Sequence, residues 1–383
     1  MKILIEFYDS ENIENVISLD IENFDKVYFL DLRDEDNSRG VAKAHLTEFI
    51  RTRYNTPTHF ISISDTSLPA IAAVLKSIVK DDGEYVIDIT GGSENIIAAM
   101  GFFAATMSKS NVRIHKFDIK SSTRICYFPT AKEEKVKPTF TVPDIIAMNG
   151  GKILGDEGSY RYNLLDGKLE NETLRLWNCV KGIARDWNKF CGIPTITQNG
   201  RTAKLIEQKT ESACRNVIRH LQRHGIISDP KMLTIGNKRY YTYKANIPEY
   251  AEFLYEKAGN LLEIYSYIAA VHTGVFDDCC VSVPLDWDGR PDGTTNEIDL
   301  ILTRDAVPIF VSCKNTEIEN EYLYEISTLT RHFGGEYAKT MIISNYSNQY
   351  KLRERAKEMD IILIDNINGI SVEAFKEKLK KRT

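Results

Sequence analysis

Residues 296–315 have the sequence NEIDLILTRDAVPIFVSCKN, and we expect this stretch to decide the fold of the C-terminal third. Two apolar runs, 296–302 and 307–315, flank a polar four-residue turn at 303–306. Runs of this length on either side of a short turn predict a β-hairpin. The second run is almost continuously apolar, which is typical of a strand buried on both faces in the middle of a sheet.

The predicted hairpin carries two acids and a lysine where they can meet. Because side chains alternate along a strand, Glu297 and Asp299 share one face of the first strand, and Ser312 and Lys314 share one face of the second. Carboxylates bind hard divalent cations through oxygen. A lysine beside them can orient or activate a water and offset negative charge that develops on a phosphate.

These side chains also have an ordinary structural explanation. An acid at a strand end is usually solvated, and a lysine there usually extends its apolar stem towards water. Lys314, however, ends a buried run, where a lysine without a partner would be costly. Asp299 is the obvious partner, so we favour the catalytic interpretation.

The hairpin resembles the core of the PD-(D/E)xK nuclease fold. That motif has an acid two residues before the lysine, and Ser312 stands there in this chain. Asn-Glu-Ile-Asp followed by Ser-Cys-Lys-Asn is similar to single-chain CRISPR ancillary nucleases, which carry an N-terminal CRISPR-associated Rossmann-fold (CARF) sensor. The resemblance implies Mn²⁺ or Mg²⁺ held by Glu263 from an upstream helix, by Asp299 and by the Cys313 carbonyl, with Lys314 as a catalytic neighbour and Glu297 as an outer acid.

Composition is that of an ordinary globular protein. The 383 residues suffice for two or three domains, and 43% of them are hydrophobic and 27% charged. No apolar run approaches the roughly 18 residues of a membrane helix, and residues 1–6 predict a strand rather than a signal peptide. Seven irregularly spaced cysteines without a CxxC pair predict reduced thiols, a cytoplasmic location and no structural zinc site.

Charge is unevenly distributed along the chain. The net charge is −5, yet residues 171–245 contain 14 Lys/Arg and 5 Asp/Glu, which leaves −14 for the rest. In this basic segment Arg215, Arg219 and Arg223 recur every four residues, on one face of a predicted helix. This face can contact a nucleic-acid backbone, or it can be a solvated surface.

Residues 1–135 alternate short apolar strands with helical patterns, which predicts a parallel, doubly wound sheet. Ligands of such sheets bind at the carboxyl ends of the strands. The turn Thr90-Gly91-Gly92-Ser93 follows a predicted strand and begins a helix, so its backbone can approach a phosphate closely. The glycines can equally just make the turn while Ser93 caps the helix.

The glycine turn resembles the ligand loop of CARF domains, which sense cyclic oligoadenylates. The resemblance implies that cyclic tetra-adenylate is the activator and that it binds between the sensors of a homodimer, since a two-fold ligand suits a two-fold interface. The candidate ligand residues follow predicted strands at one edge of the sheet: Asp9, Ser10, Asn12, Arg33, Ser64, Asp65, Thr66, Thr90, Gly91, Gly92, Ser93 and Asn95.

The prediction is therefore an α/β protein in three parts. Residues 1–135 are a Rossmann-like CARF sensor, 136–250 a polar linker with a small winged-helix-like segment, and 251–383 a restriction-endonuclease-like nuclease. In the middle part we expect helices at 202–208 and 211–224.

The expected function is metal-dependent cleavage of DNA or RNA in CRISPR defence, switched on by a cyclic oligoadenylate, with no membrane partner. Two alternatives stay open. The first is a ligand-gated winged-helix transcription regulator without nuclease activity. The second is a sensor that degrades its own ligand.

Overall fold

The structure is a computed structural model that describes residues 1–32, 40–106, 111–198, 200–286, 295–347 and 349–383. In this part of the chain there are three β-sheets with helices packed against them. The fold is α/β, as the sequence predicts. No helix in these ranges is long and apolar enough to cross a membrane.

The N-terminal sheet contains seven strands: β1 (Lys2–Phe7), β2 (Lys26–Leu32), β3 (Thr58–Ile63), β4 (Glu84–Asp88), β5 (Val112–Asp118), β6 (Thr123–Phe128) and β7 (Lys132–Lys135). Their order is β3-β2-β1-β4-β5-β6-β7, and β1 to β5 are parallel. The helices between the strands are α1 (Ile17–Ile21), α2 (Gly40–Tyr54), α3 (Leu68–Ile78) and α4 (Glu94–Thr106). Helices α1 and α2 pack on one face and α3 and α4 on the other, so the predicted doubly wound sheet is confirmed.

The middle of the chain combines helices with a small antiparallel sheet. The helices are α5 (Val142–Met148), α6 (Lys168–Val180), α7 (Ala184–Cys191) and α8 (Glu211–Arg223). The strands are β8 (Lys152–Ile153), β9 (Thr195–Gln198), β10 (Arg201–Ile206), β11 (Ile227–Ile235) and β12 (Lys238–Ala245). Four of them form a sheet in the order β11-β12-β10-β9, and β8 joins the C-terminal sheet instead.

The predicted helix at 202–208 is wrong, because β10 covers residues 201–206. Its buried positions, Lys204 and Ile206, alternate as in a strand. The Lys204 amine donates hydrogen bonds to the carbonyls of Phe190 at 3.0 Å and Ile193 at 3.1 Å, and to the Thr195 hydroxyl at 2.8 Å. These partners satisfy the buried amine, so a lysine is tolerated there. In the sequence alone the partners are not visible, and a lysine at this position suggests an exposed face of a helix.

We expected a polar linker after residue 135, and this is wrong for Val142–Met148, which form helix α5. The Thr141 hydroxyl and the Asp144 carboxylate form a capping box at its N-terminus. Val142, Ile145 and Met148 are buried in the apolar cores on either side. A helix of seven residues has too few turns to show a clear hydrophobic period in the sequence. Packing of its apolar side chains stabilises it instead.

The C-terminal sheet holds the predicted hairpin at its centre. Its further elements are α9 (Ala258–Thr273), β13 (Asp278–Asp286), β14 (Thr295–Arg304), β15 (Val307–Lys314), α10 (Asn320–Gly334), β16 (Lys339–Ser344), α11 (Tyr350–Glu358), β17 (Ile361–Ile364) and α12 (Val372–Arg382). The strand order is β17-β16-β15-β14-β13-β8. Helix α9 packs on one face and α10 on the other, so β15 is buried on both faces as expected.

Candidate active site

Strand β13 changes the face it presents to the core at Ser282. Val281 packs in the apolar core around α9, whereas Val283 packs in the core around α10. In a regular strand these two side chains would share a face. Ser282 has a φ of +49°, in the left-handed region that residues other than glycine seldom adopt. The flanking residues pair regularly with β14, so the break is local and lies opposite Asp299.

Two acids meet at this break. Asp299 accepts hydrogen bonds from the Cys313 backbone N–H at 2.6 Å and the Ser312 hydroxyl at 3.2 Å. Glu263, near the start of α9, accepts one from the Ser282 hydroxyl at 3.1 Å. Burial and the charge of Asp299 raise the pKa of Glu263 to about 7. Burial also raises the pKa of Asp299, so a cation between the two acids would relieve both groups.

Lys314 ends β15 on the side of α10. Its Nζ lies 4.6 Å from the centroid of the Tyr322 ring, a cation–π arrangement that restrains the amine. The charge of Lys314 lowers the pKa of Asp299 and thereby opposes the effect of burial. Lys314, Asp299 and Glu297 line one small pocket, with Glu297 itself exposed. The structure thus brings the predicted catalytic residues to one place.

Ser312 occupies the position where the PD-(D/E)xK motif has its second acid. It is buried, and its hydroxyl is used to hold Asp299. Glu325 of α10 lines the same pocket, although its side chain is exposed. Tyr322 and Ser282 escaped the sequence analysis, because neither carries a charge and no local pattern marks the residues they contact.

The donor set suits a hard cation that keeps part of its water shell. Within the described ranges, no group of three His, Cys, Asp or Glu side chains is arranged to hold a metal ion. The set implied by the resemblance uses only two side chains, Glu263 and Asp299, together with the Cys313 carbonyl. Burial raises the pKa of the Cys313 thiol well above its usual range. Mg²⁺ is commonly bound by one or two carboxylates and several waters, and these residues fit that pattern.

The glycine turn lies at the carboxyl end of β4, next to the end of β1. The Gly92 N–H donates to the Asp9 carboxylate at 3.1 Å. Thr90 donates through its N–H at 2.7 Å and its hydroxyl at 2.5 Å to the buried Asp88 carboxylate. Gly92 has a φ of +110°, a conformation that favours glycine. The turn is therefore held rigidly on the sheet edge.

The remaining predicted ligand residues are spread along this edge. Ser64, Asp65 and Thr66 follow β3, which is two strands away from β1. The Asn12 amide donates to the Met148 carbonyl at 2.9 Å and is thus tied to α5. Arg33 lies outside the described residues. The other predicted ligand residues stand at the ends of β1 and β4 and in the first turn of α4: Asp9, Ser10, Thr90, Gly91, Gly92, Ser93 and Asn95.

Contacts between the sensor edge and the C-terminal part were not predicted. The Tyr337 hydroxyl donates to the Glu14 carboxylate at 2.5 Å, and the Glu336 N–H donates to the Glu11 carboxylate at 2.8 Å. The partners lie 323 and 325 residues apart in the chain, so no local pattern could have indicated them.

The three arginines of α8 share an exposed face, as predicted. Arg215 forms an ion pair with Glu211 at 3.0 Å. Arg219 and Arg223 are exposed and have no ion-pair partner within the described part of the chain. Two cations on this face are therefore available for another molecule.

Residues 250–382 match the family model of the Card1-like endonuclease domain. The resemblance to CRISPR ancillary nucleases that the hairpin indicated is thus confirmed. The match covers α9, the hairpin and all elements that follow, so it includes Glu263, Asp299 and Lys314. A search of curated proteins found no match.

The whole chain is similar in fold to two solved structures. Protein VC1899 from Vibrio cholerae has a TM-score of 0.74 and 15% identity, over 99% of this chain and 97% of that one. Can2 from Sulfobacillus thermosulfidooxidans, solved with cyclic tetra-adenylate, has a TM-score of 0.68 and 15% identity, over 99% and 96%. A type III CRISPR defence DNA nuclease activated by cyclic oligoadenylate has a TM-score of 0.50 and 14% identity, over 91% and 45%. At these identities the likeness concerns the fold alone.

Proposed function

We propose that the protein is a metal-dependent nuclease of type III CRISPR defence that cyclic tetra-adenylate activates. The observation that carries this proposal is the convergence of Glu263, Asp299 and Lys314 at the break between β13 and β14. These three residues lie in the part of the chain that matches the Card1-like endonuclease domain. Can2, which shares the fold over nearly the full length, binds the proposed activator.

Each residue of the site has a distinct task in phosphodiester hydrolysis. A bound Mg²⁺ or Mn²⁺ supplies Lewis acidity and an activated water. Glu263 and Asp299 would hold it through carboxylate oxygens, and the Cys313 N–H donates to Asp299 and fixes that carboxylate in place. Lys314 orients the attacking water and offsets the charge that develops on the phosphate oxygens. The Tyr322 ring contacts the Lys314 amine and holds it in the pocket that both residues line.

The sensor edge provides the proposed ligand site. The glycine turn leads into the 13-residue α4, and the N-terminus of this helix favours a phosphate. Asp9 holds the turn through the Gly92 N–H. In a homodimer, two such edges would face one cyclic ligand across the two-fold axis.

The basic face of α8 is the proposed contact for substrate. Arg219 and Arg223 are exposed, while Arg215 is shared with Glu211. Such a face contacts phosphates and carries no base specificity. We therefore expect a nuclease that binds nucleic acid through its backbone, in the cytoplasm.

The test is a cleavage assay with plasmid and with single-stranded DNA and RNA, in Mn²⁺ or Mg²⁺, with and without cyclic tetra-adenylate. We expect ligand-stimulated cleavage of at least one substrate. Asp299→Ala should lose both Mn²⁺ binding and cleavage. Lys314→Ala should retain Mn²⁺ and ligand binding but lose about 10²–10³-fold in rate, as removal of an electrostatic catalytic group does.

Lys351→Ala is the matched control, since Lys351 is an exposed lysine on α11 of the same domain. Near wild-type cleavage by both Asp299→Ala and Lys314→Ala would place the chemistry elsewhere. Sequence-specific duplex binding without any cleavage would support the transcription regulator instead.

A further inference from the structure

A cavity of about 460 Å³ lies between the sensor and the nuclease domain. This volume is within the range of about 300–1,000 Å³ typical of ligand pockets. Two lysines, the acids Asp118 and Glu336 and an exposed tyrosine ring line it, so the cavity offers cations for a phosphate and a ring for a base. The sensor contributes Thr90, Lys116, Lys120 and Tyr127, and the nuclease domain contributes Glu336 and Tyr337.

The same nuclease loop is bonded to acids of the sensor. The Tyr337 hydroxyl donates to Glu14 at 2.5 Å, and the Glu336 N–H donates to Glu11 at 2.8 Å. Gly335, just before them, has a φ of +74°, and a Cβ there would lie 2.5 Å from the Glu11 carboxylate. The loop therefore fits closely against the sensor edge.

Glu14 also touches the glycine turn. A Cβ on Gly91 would lie 2.8 Å from a Glu14 carboxylate oxygen and 3.1 Å from the Asp9 Cβ. A glycine is needed at this contact, and the turn cannot shift towards Glu14 without displacing it. Glu14 thus stands between the ligand turn on one side and Tyr337 on the other.

We propose that the Tyr337–Glu14 hydrogen bond, which lies beside the sensor's ligand site, holds the ligand-free, inactive arrangement. This inference rests on the proposed function. A phosphate placed at the Gly91–Gly92 turn brings negative charge beside Glu14, and it repels the ionised form of that carboxyl group. Binding therefore favours the arrangement in which Glu14 has moved and Tyr337 is released.

Two rigid elements connect this loop to the active site. Residues 335–338 join α10 to β16. Helix α10 carries Tyr322, whose ring lies against Lys314. Strand β16 pairs with β15 up to Ser344 opposite Lys314. We therefore expect a displacement of Tyr337 to reach Lys314 through these two packed elements.

The test uses Tyr337→Phe in the full-length protein, with cyclic tetra-adenylate as the probe. If the lost hydrogen bond belongs to the inactive arrangement, the active fraction rises. Ligand-free cleavage should then increase and the Kd for the ligand decrease by the same factor, on the order of ten-fold. Tyr350→Phe, an exposed tyrosine of the nuclease domain, is the control and should change neither quantity.

A double-mutant cycle keeps the test independent of either single variant. Glu14→Ala removes the same bond from the sensor side, so the double variant should cleave without ligand no faster than the more active single variant. Additive effects would overturn the inference. So would wild-type values of both ligand-free cleavage and Kd in Tyr337→Phe, or weaker ligand binding with unchanged ligand-free cleavage. Failure of the wild-type protein to bind the ligand would instead overturn the proposed function.

Discussion

The Ser282 hydroxyl donates a hydrogen bond to the Glu263 carboxylate at 3.1 Å from a backbone with a φ of +49°. A non-glycine residue in this region costs of order 1–3 kcal/mol and persists where its surroundings hold it. Here this conformation turns the Ser282 side chain towards α9, at the point where β13 changes face. Strain in the strand thereby positions an acid that Asp299 repels.

Replacing Ser282 should weaken metal binding. Ser282→Gly relieves the backbone strain and removes the hydroxyl, whereas Ser282→Ala removes the hydroxyl and keeps the strain. Both should lower Mn²⁺ affinity by about 10–100-fold, the usual effect of losing a partner that orients a ligand. Electron paramagnetic resonance of bound Mn²⁺ measures this without cleavage. If the glycine variant binds Mn²⁺ like wild type, the hydroxyl has no part in orienting Glu263.

Ser312 should be replaceable, although it stands where related motifs have an acid. In Ser312→Ala, Asp299 still accepts the Cys313 N–H at 2.6 Å, so the loss is one neutral donor worth about 1 kcal/mol. Ligand-stimulated plasmid nicking should fall by less than about ten-fold. Ser312→Glu should raise Mn²⁺ affinity by adding a carboxylate to the pocket. A collapse of nicking in Ser312→Ala would show that the hydroxyl takes part in the chemistry.

The glycine turn can be tested with two alanine substitutions. Gly92 has a φ of +110°, and a Cβ there would lie 3.1 Å from the Phe7 ring. Gly92→Ala should cost about 1–2 kcal/mol of stability and weaken cyclic tetra-adenylate binding. Gly101 lies in α4 with open space around its missing Cβ, so Gly101→Ala should be neutral or stabilising by about 0.5–1 kcal/mol. Calorimetric titration and thermal unfolding separate the two effects, and equal ligand affinity in both variants would remove the turn from the ligand site.

The basic face of α8 predicts a change in salt dependence. Arg219→Ala with Arg223→Ala should reduce the log–log slope of substrate binding by about 0.7–0.9 per lost phosphate contact. Arg215→Ala should reduce the slope by less, because Arg215 already forms an ion pair with Glu211. Arg51→Ala, an exposed arginine of the sensor, serves as the control. An unchanged slope would identify the face as a solvated surface.

Glu14 predicts a pH dependence of stability. Burial, with the nearby acids Asp9, Glu11 and Asp88, raises the pKa of Glu14 from 4.5 to about 7, although the Tyr337 hydrogen bond opposes the shift. Between these values the unfolded chain has lost its proton and the folded chain retains it, so stability falls as pH rises. The melting temperature of wild type relative to Glu14→Gln should therefore decrease between pH 5 and pH 8. A difference that stays constant across this range would contradict the shift.

Local patterns in the sequence determined the elements that hold the site. The apolar run of β15 and the polar turn before it predict the central hairpin, because a buried strand needs apolar side chains on both faces. The alternation of strands and helices in residues 1–135 predicts the doubly wound sheet for a similar reason. Strand periodicity predicts that Asp299 and Lys314 are neighbours, although Ile298 and Leu300 pack in opposite cores and the alternation of β14 breaks at Asp299 itself.

Only the tertiary structure decided the features that depend on residues far apart in the chain. Residues 202–208 look helical by local preference, yet pairing with β9 and β12 makes 201–206 a strand and buries Lys204. The break at Ser282 moves the side chains of β13 from the core around α9 to the core around α10, and these cores form only in the folded chain. The Tyr337–Glu14 bond joins residues 323 positions apart, and a contact at that separation forms only when folded domains meet.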